Sequence, residues 1–217
     1  MKFRYAAVCG GVLAVLAAVA PAQADDYKGF QAGDVLLRLR GIAVVPEVSS
    51  NNVVPTSIGG HVEASNSMAP EFDASYFFTP NVAVEAIAAT ARHHVKLEGS
   101  SLSNGDLGHL QILPPTVTVQ YHFCPTGTIN PYVGAGLNYT LFYGVKSGSG
   151  GLNVHYDNNF GEALQIGADI HLHGNWFANV DVKQLFLNTT ANVSNSTAIA
   201  DVDLNPTIVG VGIGYKF

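Results

Sequence analysis

The chain has 217 residues, 47% of them apolar, and only 12% are Asp, Glu, Lys or Arg, about half the ~25% typical of soluble globular domains. It carries 10 basic and 16 acidic residues, a net charge of −6, with no basic cluster of the kind that neutralises phosphates, so no nucleic-acid partner is expected. After the N-terminus no run reaches the ~18 consecutive apolar residues of a membrane helix, which excludes a helical membrane protein.

Residues 1–24 have the layout of a secretory signal peptide. Lys2 and Arg4 form a positive n-region, residues 5–20 form an apolar h-region, and Ala22-Gln23-Ala24 is a small-x-small cleavage site. We therefore expect residues 1–24 to be removed and the mature domain to span residues 25–217. Cys124 is then the one cysteine left, so no intramolecular disulfide is expected.

Eight segments after residue 24 alternate apolar and polar side chains with a period of two, which predicts β-strands and no helices. In chain order they span residues 35–45, 70–78, 81–93, 115–123, 131–143, 160–172, 176–188 and 206–217. Most are longer than the ~5–6 residues of a soluble strand and close to the ~9–11 residues that cross a bilayer when tilted.

The connections between these strands alternate in length. Residues 79–80, 124–130 and 173–175 are short connections, whereas residues 46–69, 95–114, 144–159 and 189–205 are long and rich in Ser, Gly and Asn. Short turns on one side and long loops on the other are typical of outer-membrane barrels. The sequence therefore predicts an all-β fold, an eight-stranded antiparallel transmembrane β-barrel in the cell outer membrane, with both termini in the periplasm.

The alternation also predicts which side chains face the lumen. In the first strand Val35, Leu37 and Leu39 share one face and Arg38 and Arg40 the other, so we expect the apolar face to contact lipid. A soluble ligand-binding barrel has the opposite arrangement. The same reasoning predicts a polar network in the lumen, which consists of Arg38, Arg40, Glu71, Asp73, Glu85, Asp169, Asp181 and Lys183, with Lys216 also directed inward.

Such a network is expected to close the barrel to axial flow. An eight-stranded barrel is only wide enough for its own side chains, and buried charges persist only when they are paired or wetted. An apolar solute that enters from outside would then have to leave sideways. Pro114 and Pro115 are the predicted lateral opening, because neither can donate a ladder hydrogen bond; alternatively they only terminate the fourth strand.

Apolar residues in the outer segments form a second predicted feature. Leu97, Leu110, Ile112 and Leu113 are candidates for a hydrophobic funnel above the barrel; alternatively they only contact the lipid surface. At the C-terminus, Tyr215 and Phe217 belong to an alternating apolar series that ends on the terminal Phe. This pattern resembles the sorting signal that the outer-membrane barrel assembly machinery reads, so that machinery is an expected partner.

Four segments carry a family resemblance: residues 38–46, 76–85, 113–123 and 131–140. Together they resemble the outer membrane protein W family over essentially the whole mature chain. The resemblance implies an eight-stranded barrel in a Gram-negative outer membrane, in contact with lipid and lipopolysaccharide, through which small hydrophobic solutes pass.

Two functions follow as alternatives. The preferred one is a passive channel for small hydrophobic molecules, with lateral exit into the membrane; the other is a nontransporting surface barrel whose long loops bind host, phage or lipopolysaccharide. An enzyme is not expected, because no Cys-x-x-Cys or His-Glu-x-x-His spacing occurs and His93 and His94 are adjacent in a strand. A loose metal site at His122, His171 and His173 is a weaker alternative to polar residues at the barrel base, and no cofactor is expected.

Overall fold

The computed structural model describes residues 27–46, 48–54, 61–98, 105–147, 154–156, 159–193 and 199–217. Side chains are described for residues 27–46, 65–90, 111, 113–141, 160–187 and 205–217. The predicted signal peptide lies outside these residues. No helix in the described part of the chain is long and apolar enough to span a membrane.

Fourteen strand segments are present in these residues. They are β1 (Val35–Val45), β2 (Val48–Val54), β3 (His61–Ala64), β4 (Ser67–Phe77), β5 (Val82–Ala89), β6 (Ala91–Glu98), β7 (Gly105–Leu113), β8 (Thr116–His122), β9 (Ile129–Ser147), β10 (Val154–Tyr156), β11 (Asn159–His173), β12 (Trp176–Val193), β13 (Ile199–Leu204) and β14 (Thr207–Lys216). Six of the barrel strands consist of two consecutive segments each, and β9 and β12 are single segments. The segments therefore make up eight strands.

All neighbouring strands pair antiparallel, and the sheet closes on itself. The order round the barrel is β1, β4, β5, β8, β9, β11, β12, β14 and back to β1. The closing ladder between β1 and β14 runs from Leu36 opposite Lys216 to Val45 opposite Thr207. Closure satisfies the edge hydrogen bonds that lipid cannot. The predicted eight-stranded antiparallel barrel is confirmed.

The strands are longer than predicted, and several predicted loops are wrong in part. The predicted connections 46–69, 95–114, 144–159 and 189–205 contain β2, β3, β7, β10 and β13 and the ends of β6, β9 and β12. The pairing of the third and fourth barrel strands keeps one register from Val82 opposite Tyr121 to Arg92 opposite Gln111. Backbone hydrogen bonds continue a ladder whether or not the side chains alternate. The alternation therefore ends before the strands do, and strands predicted from it are too short.

The fourth barrel strand shows the largest difference. Its predicted start was Pro115, but β7 continues the strand to Gly105 beyond both prolines. Pro114 and Pro115 therefore interrupt a strand and do not begin it.

Side chains divide between the two faces of the wall. The outward face is apolar, and Leu39 and Leu137 are 56% and 64% exposed, whereas the neighbouring Arg38 and Asn138 are each 1% exposed. Outside a membrane this exposure of apolar side chains would be unfavourable. The surface is that of a lipid-facing barrel wall.

Aromatic side chains on the outward face gather at the end that carries the short turns. Edge-to-face ring pairs join Tyr76 to Phe78 and Tyr121 to Phe123, at centroid distances of 4.9 and 5.2 Å. Tyr215 contacts Trp176 at 5.0 Å. Such a girdle is typical of the boundary between lipid tails and headgroups.

A groove of about 460 Å³ lies on the same outward face, over Gly134 and Ala135. Its walls are the outward side chains of Val119, Tyr121 and Leu164. The groove faces lipid and not the lumen, so it is a place for acyl chains and lies apart from the interior groups.

Candidate functional site in the barrel interior

Arg38 of β1 is the centre of a charged layer in the lumen. Its Nε and Nη2 donate to the two carboxylate oxygens of Asp169 at 3.0 and 2.8 Å. Its Nη1 donates to Asp73 and Ser75, both at 2.8 Å, and to Glu85 at 3.3 Å. The planar guanidinium suits this arrangement because it has five N–H donors in fixed directions. Arg38 thereby links β4 and β5 on one side of β1 to β11 on the other.

Arg40, two residues further along the same face, joins a second set of carboxylates. Its Nη2 lies 2.8 Å from Asp73 and 3.1 Å from Glu85, and its Nε lies 2.8 Å from Glu71. Its Nη1 lies 3.6 Å from Asp181. Asp73 and Glu85 thus contact both arginines, so the two guanidinium groups form one network.

Lys183 of β12 completes the network from the opposite wall. Its Nζ donates to Asp181 at 2.7 Å and to Glu71 at 2.8 Å. Asp181 also accepts from the Tyr132 hydroxyl at 3.0 Å and from the Gln165 amide at 2.8 Å. The three cations and five carboxylates that the sequence placed in the lumen therefore contact one another.

Neutral side chains take up further acceptor positions. Gln120 and Thr118 donate to Glu85 at 2.9 and 3.2 Å, and Asn179 donates to Asp169 at 2.9 Å. All eight charged residues are at most 2% exposed. A layer so filled leaves no wide aqueous path through this part of the barrel.

The N-terminal residues 27–34 close the lumen below the charged layer. Phe30 is 1% exposed and stacks on Phe77 and Phe177 at centroid distances of 4.4 and 5.1 Å. Its N–H donates to the carbonyl of Pro125 at 2.9 Å. The ring of Tyr27 stacks on His171 at 4.1 Å. The end with the short turns is thus sealed by an aromatic plug.

Two further observations concern this plug. Burial of Tyr27, with Asp169 and Asp34 nearby, raises the pKa of its phenol above the ordinary value. Lys216, which was expected to point inward, contacts this plug: its Nζ pairs with Asp34 at 3.0 Å and donates to the Gly29 carbonyl at 2.7 Å. The N-terminal segment provides these partners, and no periodic pattern marks it in the sequence.

An apolar layer lies on the other side of the charges, towards the long loops. Its side chains are inward-facing and at most 8% exposed: Ile42, Val44, Ala69, Ala89, Ala163, Leu185, Leu187 and Ile208. Strand β1 shows the order directly, since its inward residues read Leu36, Arg38, Arg40, Ile42 and Val44. The lumen is therefore apolar, charged and again apolar along its axis.

The pairing of β5 and β8 stops beside this apolar layer. Ile87 opposite Thr116 is the last pair of that ladder, and the same register resumes at Ala91 opposite Ile112. In this register Ala89 lies opposite Pro114. Pro114 has no N–H, so the carbonyl of Ala89 receives no ladder bond from it.

The two prolines are directed at different neighbours. The carbonyl of Pro115 accepts the N–H of Tyr139 in β9 at 3.0 Å, whereas seven residues further along the strand the N–H of His122 donates to the carbonyl of Asn81, just before β5. Since successive residues of a strand point their backbone groups to opposite sides, Pro114 faces β5 and Pro115 faces β9. The gap towards the third strand therefore depends on Pro114.

The remaining predicted residues are distributed as follows. Leu113 is partly buried at the end of β7, while Leu97, Leu110 and Ile112 lie in β6 and β7 and their side chains fall outside the described residues. Phe217 is 67% exposed, packs on Tyr215 at 4.8 Å and exchanges backbone hydrogen bonds with Val35 across the closing seam. The assembly role of this pair stays a prediction.

The histidines at the base are occupied by other contacts. His122 lies within 3.2 Å of Gln120 and 3.0 Å of Asn130, and His171 contacts the Gly174 carbonyl at 2.8 Å. Within the described residues no group of three His, Cys, Asp or Glu side chains is arranged to hold a metal ion.

The apolar layer is the feature that the sequence reasoning missed. Ile42 and Val44 follow Arg38 and Arg40 at intervals of two and so share their inward face. Reading the inward face of each strand by itself would have found them.

Comparison with known proteins agrees with this architecture. The family model described as OmpW family matches residues 31–217. Outer membrane protein W of Vibrio cholerae serotype O1 is 36% identical over 220 residues, which cover 97% of this chain and 98% of that protein. The "Dibenzothiophene metabolism operon protein PahQ" of Pseudomonas aeruginosa is 30% identical over 162 residues, 73% of this chain and 76% of that protein.

A solved structure has the same fold. The crystal structure of the outer membrane protein OprG from Pseudomonas aeruginosa superposes with a TM-score of 0.80 at 27% identity, covering 87% of this chain and 98% of that one. The chain is thus an outer-membrane β-barrel and belongs to the OmpW family.

Proposed function

We propose that this barrel is a passive channel that takes small hydrophobic molecules from the outer surface and releases them sideways into the membrane at Pro114. The observation that carries the proposal is the position of Ala89. This residue belongs to the apolar layer of the lumen and is also the register partner of Pro114 at the interrupted ladder. An apolar surface inside the barrel therefore reaches a gap in its wall.

Two further observations support a sideways route. Below the apolar layer lie the buried ion pairs of Arg38 and Arg40, and below these lies the plug around Phe30. An apolar solute that moved along the axis would have to separate charges whose removal from their partners costs several kcal/mol. The gap at Pro114 presents no ladder bond to break.

The name of one relative supports an apolar solute. PahQ carries the name of an operon for the metabolism of dibenzothiophene, an uncharged aromatic compound. We infer for the present chain the same broad class of solute, small and uncharged.

The test seals the gap and measures uptake. Outer-membrane vesicles with a lipopolysaccharide outer leaflet receive dibenzothiophene, and its intrinsic fluorescence reports entry into the membrane. Pro114→Ala restores a donor opposite Ala89, and we expect uptake to fall at least about five-fold, the effect of one hydrogen bond of about 1 kcal/mol on the open fraction. Pro115→Ala is the matched control, because Pro115 faces β9 and its replacement leaves the gap in place.

A reversible closure gives a second measurement. Residues 88 and 115 are opposite each other in the register and both lie on the outward face, so a disulfide between Ala88→Cys and Pro115→Cys crosses the gap without filling the lumen. Cys124 is replaced by Ser to avoid mispairing. Uptake should fall on oxidation and return with reductant. Unchanged uptake in the oxidised protein would exclude exit at this seam, and no uptake by the unmodified barrel would favour the surface-binding alternative.

A further inference from the structure

A chain of three buried side chains ends at the interrupted ladder. The hydroxyl of Thr140 donates to Oδ1 of Asn138 at 2.7 Å, and Nδ2 of Asn138 donates to Oγ1 of Thr116 at 2.8 Å. The hydroxyl of Thr116 then donates to the carbonyl of Pro114 at 3.1 Å. All three side chains face inward and are at most 4% exposed.

The direction of this chain is fixed by its chemistry. A hydroxyl has one proton to donate. Because Asn138 donates to Thr116, the oxygen of Thr116 serves as acceptor there and its proton is free for Pro114. The amide of Asn138 is held with Nδ2 on this side because the same nitrogen also faces the carbonyl of Pro115 at 3.4 Å, which can only accept, and this leaves Oδ1 to accept from Thr140. Each hydrogen bond therefore sets the orientation of the next.

The end of the chain is the carbonyl that the gap leaves without a strand partner. Pro114 faces β5, where the N–H of Ala89 would be its partner in an unbroken ladder, but the pairing stops at Ile87 opposite Thr116. A buried carbonyl without any partner destabilises the fold, because it has lost its hydrogen bonds to water. Thr116 supplies that partner from the same strand.

The carbonyl of Pro115 also has hydrogen-bond partners. It accepts the Tyr139 N–H at 3.0 Å, with Nδ2 of Asn138 a further 3.4 Å neighbour. Both proline carbonyls are thus satisfied from β8 and β9, and neither requires the third strand.

We propose that Thr116, Asn138 and Thr140 form a relay that keeps the seam between the third and fourth barrel strands open. The inference rests on the proposed lateral route and names the residues that regulate it. With the relay in place, the open seam leaves no orphaned carbonyl on β8. Without the Thr116 hydroxyl, the Pro114 carbonyl gains from accepting the Ala89 N–H, and the two strands draw together.

The proposal differs from a merely structural role in the direction of its effect. Loss of a structural hydrogen bond loosens a protein, whereas loss of this one should tighten the seam. Thr116→Val removes the donor at nearly constant volume, and Thr116→Ser retains it. Asn138→Asp has no N–H to donate, so the Thr116 proton turns to the new carboxylate and leaves Pro114.

The first experiment measures dibenzothiophene uptake by the same vesicles. We expect Thr116→Val and Asn138→Asp to lower uptake about five-fold, the shift that one hydrogen bond of about 1 kcal/mol makes in the open population. Thr116→Ser should keep the original rate. Thr207→Val is the matched control: the Thr207 hydroxyl donates to Gln184 at 2.6 Å in the last pair of the β12–β14 ladder. There the carbonyl of the neighbouring Pro206 already accepts the Leu185 N–H across the seam at 3.1 Å.

The second experiment observes the seam without transport. In isotopically labelled protein in lipid nanodiscs, the scalar coupling between the Ala89 amide nitrogen and the Pro114 carbonyl carbon reports a hydrogen bond between them. It should be absent in the unmodified barrel and present in Thr116→Val. This coupling is measured without any solute. The relay can therefore be refuted independently of the proposed channel function.

The outcomes are distinct. If the unmodified barrel transports and Pro114→Ala seals it while Thr116→Val transports at the original rate, the relay is overturned and the channel stands. If the coupling fails to appear in Thr116→Val, the relay is overturned whatever the uptake. Appearance of the coupling without any change in uptake would place the exit elsewhere and leave the relay without its regulatory role.

Discussion

Removal of the Arg38 guanidinium should destabilise the barrel far more than removal of its carboxylate partner. The charged layer contains three cations, Arg38, Arg40 and Lys183, and five carboxylates, all at most 2% exposed. With every group ionised its formal charge is −2, from 3 − 5. Arg38→Met makes this −3, whereas Asp169→Asn makes it −1.

The magnitudes follow from the contacts. Arg38→Met deletes five hydrogen bonds and leaves Asp73, Glu85 and Asp169 short of a partner, and breaking a buried pair costs about 3–5 kcal/mol. Asp169→Asn keeps an oxygen that can accept from Arg38, and Arg38 retains Asp73 and Glu85. We expect a loss of about 1–2 kcal/mol, close to one hydrogen bond to a charged group.

Equilibrium unfolding in urea with lipid vesicles measures the free energy of unfolding of both variants. Lys28 is exposed, so Lys28→Met is a control whose change in unfolding free energy should be near zero. If Arg38→Met does not insert, the double variant Arg38→Met with Asp169→Asn tests the same point, because it returns the formal charge to −2 and should recover part of the folded yield. Equal losses for the two single variants, or a larger loss for Asp169→Asn, would refute the account of an anion-rich layer.

Three further predictions concern assembly, packing and the plug. Deletion of Phe217, or Phe217→Asp, should leave secretion intact and prevent efficient insertion, so a heat-modifiable band at normal yield in outer-membrane fractions would contradict the sorting signal. Gly136→Ala should destabilise the barrel by at least 1 kcal/mol, because the added Cβ would lie 2.6 Å from the Cα of Thr118, whereas Gly41→Ala meets nothing within 4 Å; matched thermal unfolding compares the two. Because the pKa of the Tyr27 phenol is raised in the folded protein, Tyr27 stabilises the plug fully below about pH 10, its ordinary pKa, and this stabilisation is lost as the pH rises above that value. Proteolysis of the N-terminal segment should therefore increase above about pH 10, and should not do so in Tyr27→Phe.

The membrane-embedded part of the fold was predictable because one physical constraint governs it. Lipid outside and packed polar groups inside force every second residue to one face, and β1 was predicted to the residue. The same constraint is absent beyond the bilayer. There the ladder of β6 and β7 continues, although the sequences of these two strands no longer alternate regularly between apolar and polar residues.

The interior was predictable in its charges and not in their connections. Arg38 and Asp169 are 131 residues apart, and only the barrel order places them on facing walls. The plug was missed because Tyr27 and Phe30 lie in a segment with no period, and its partners come from turns such as Pro125. The relay was missed for a related reason: Thr116 and Asn138 are ordinary strand residues until the ladder between β8 and β9 sets them opposite each other.

One row of residues round the barrel connects the charged layer to the interrupted ladder and supports the proposed sideways route. Arg40 is paired with Glu71 and Glu71 with Ala89 in successive ladders, and Pro114 is opposite Ala89 in the register of the interrupted one. Along that row the wall changes from an ion pair to a small apolar residue and then to the gap. A solute beside Ala89 that continued downward would displace the contact between Arg40 and Glu71, at a cost of several kcal/mol. Sideways it would meet a seam whose carbonyl is already satisfied by Thr116, so the lateral step has no hydrogen bond to break. The difference of several kcal/mol corresponds to a factor of at least about 100 in rate, so in the proposed route the charged layer is the floor of the channel.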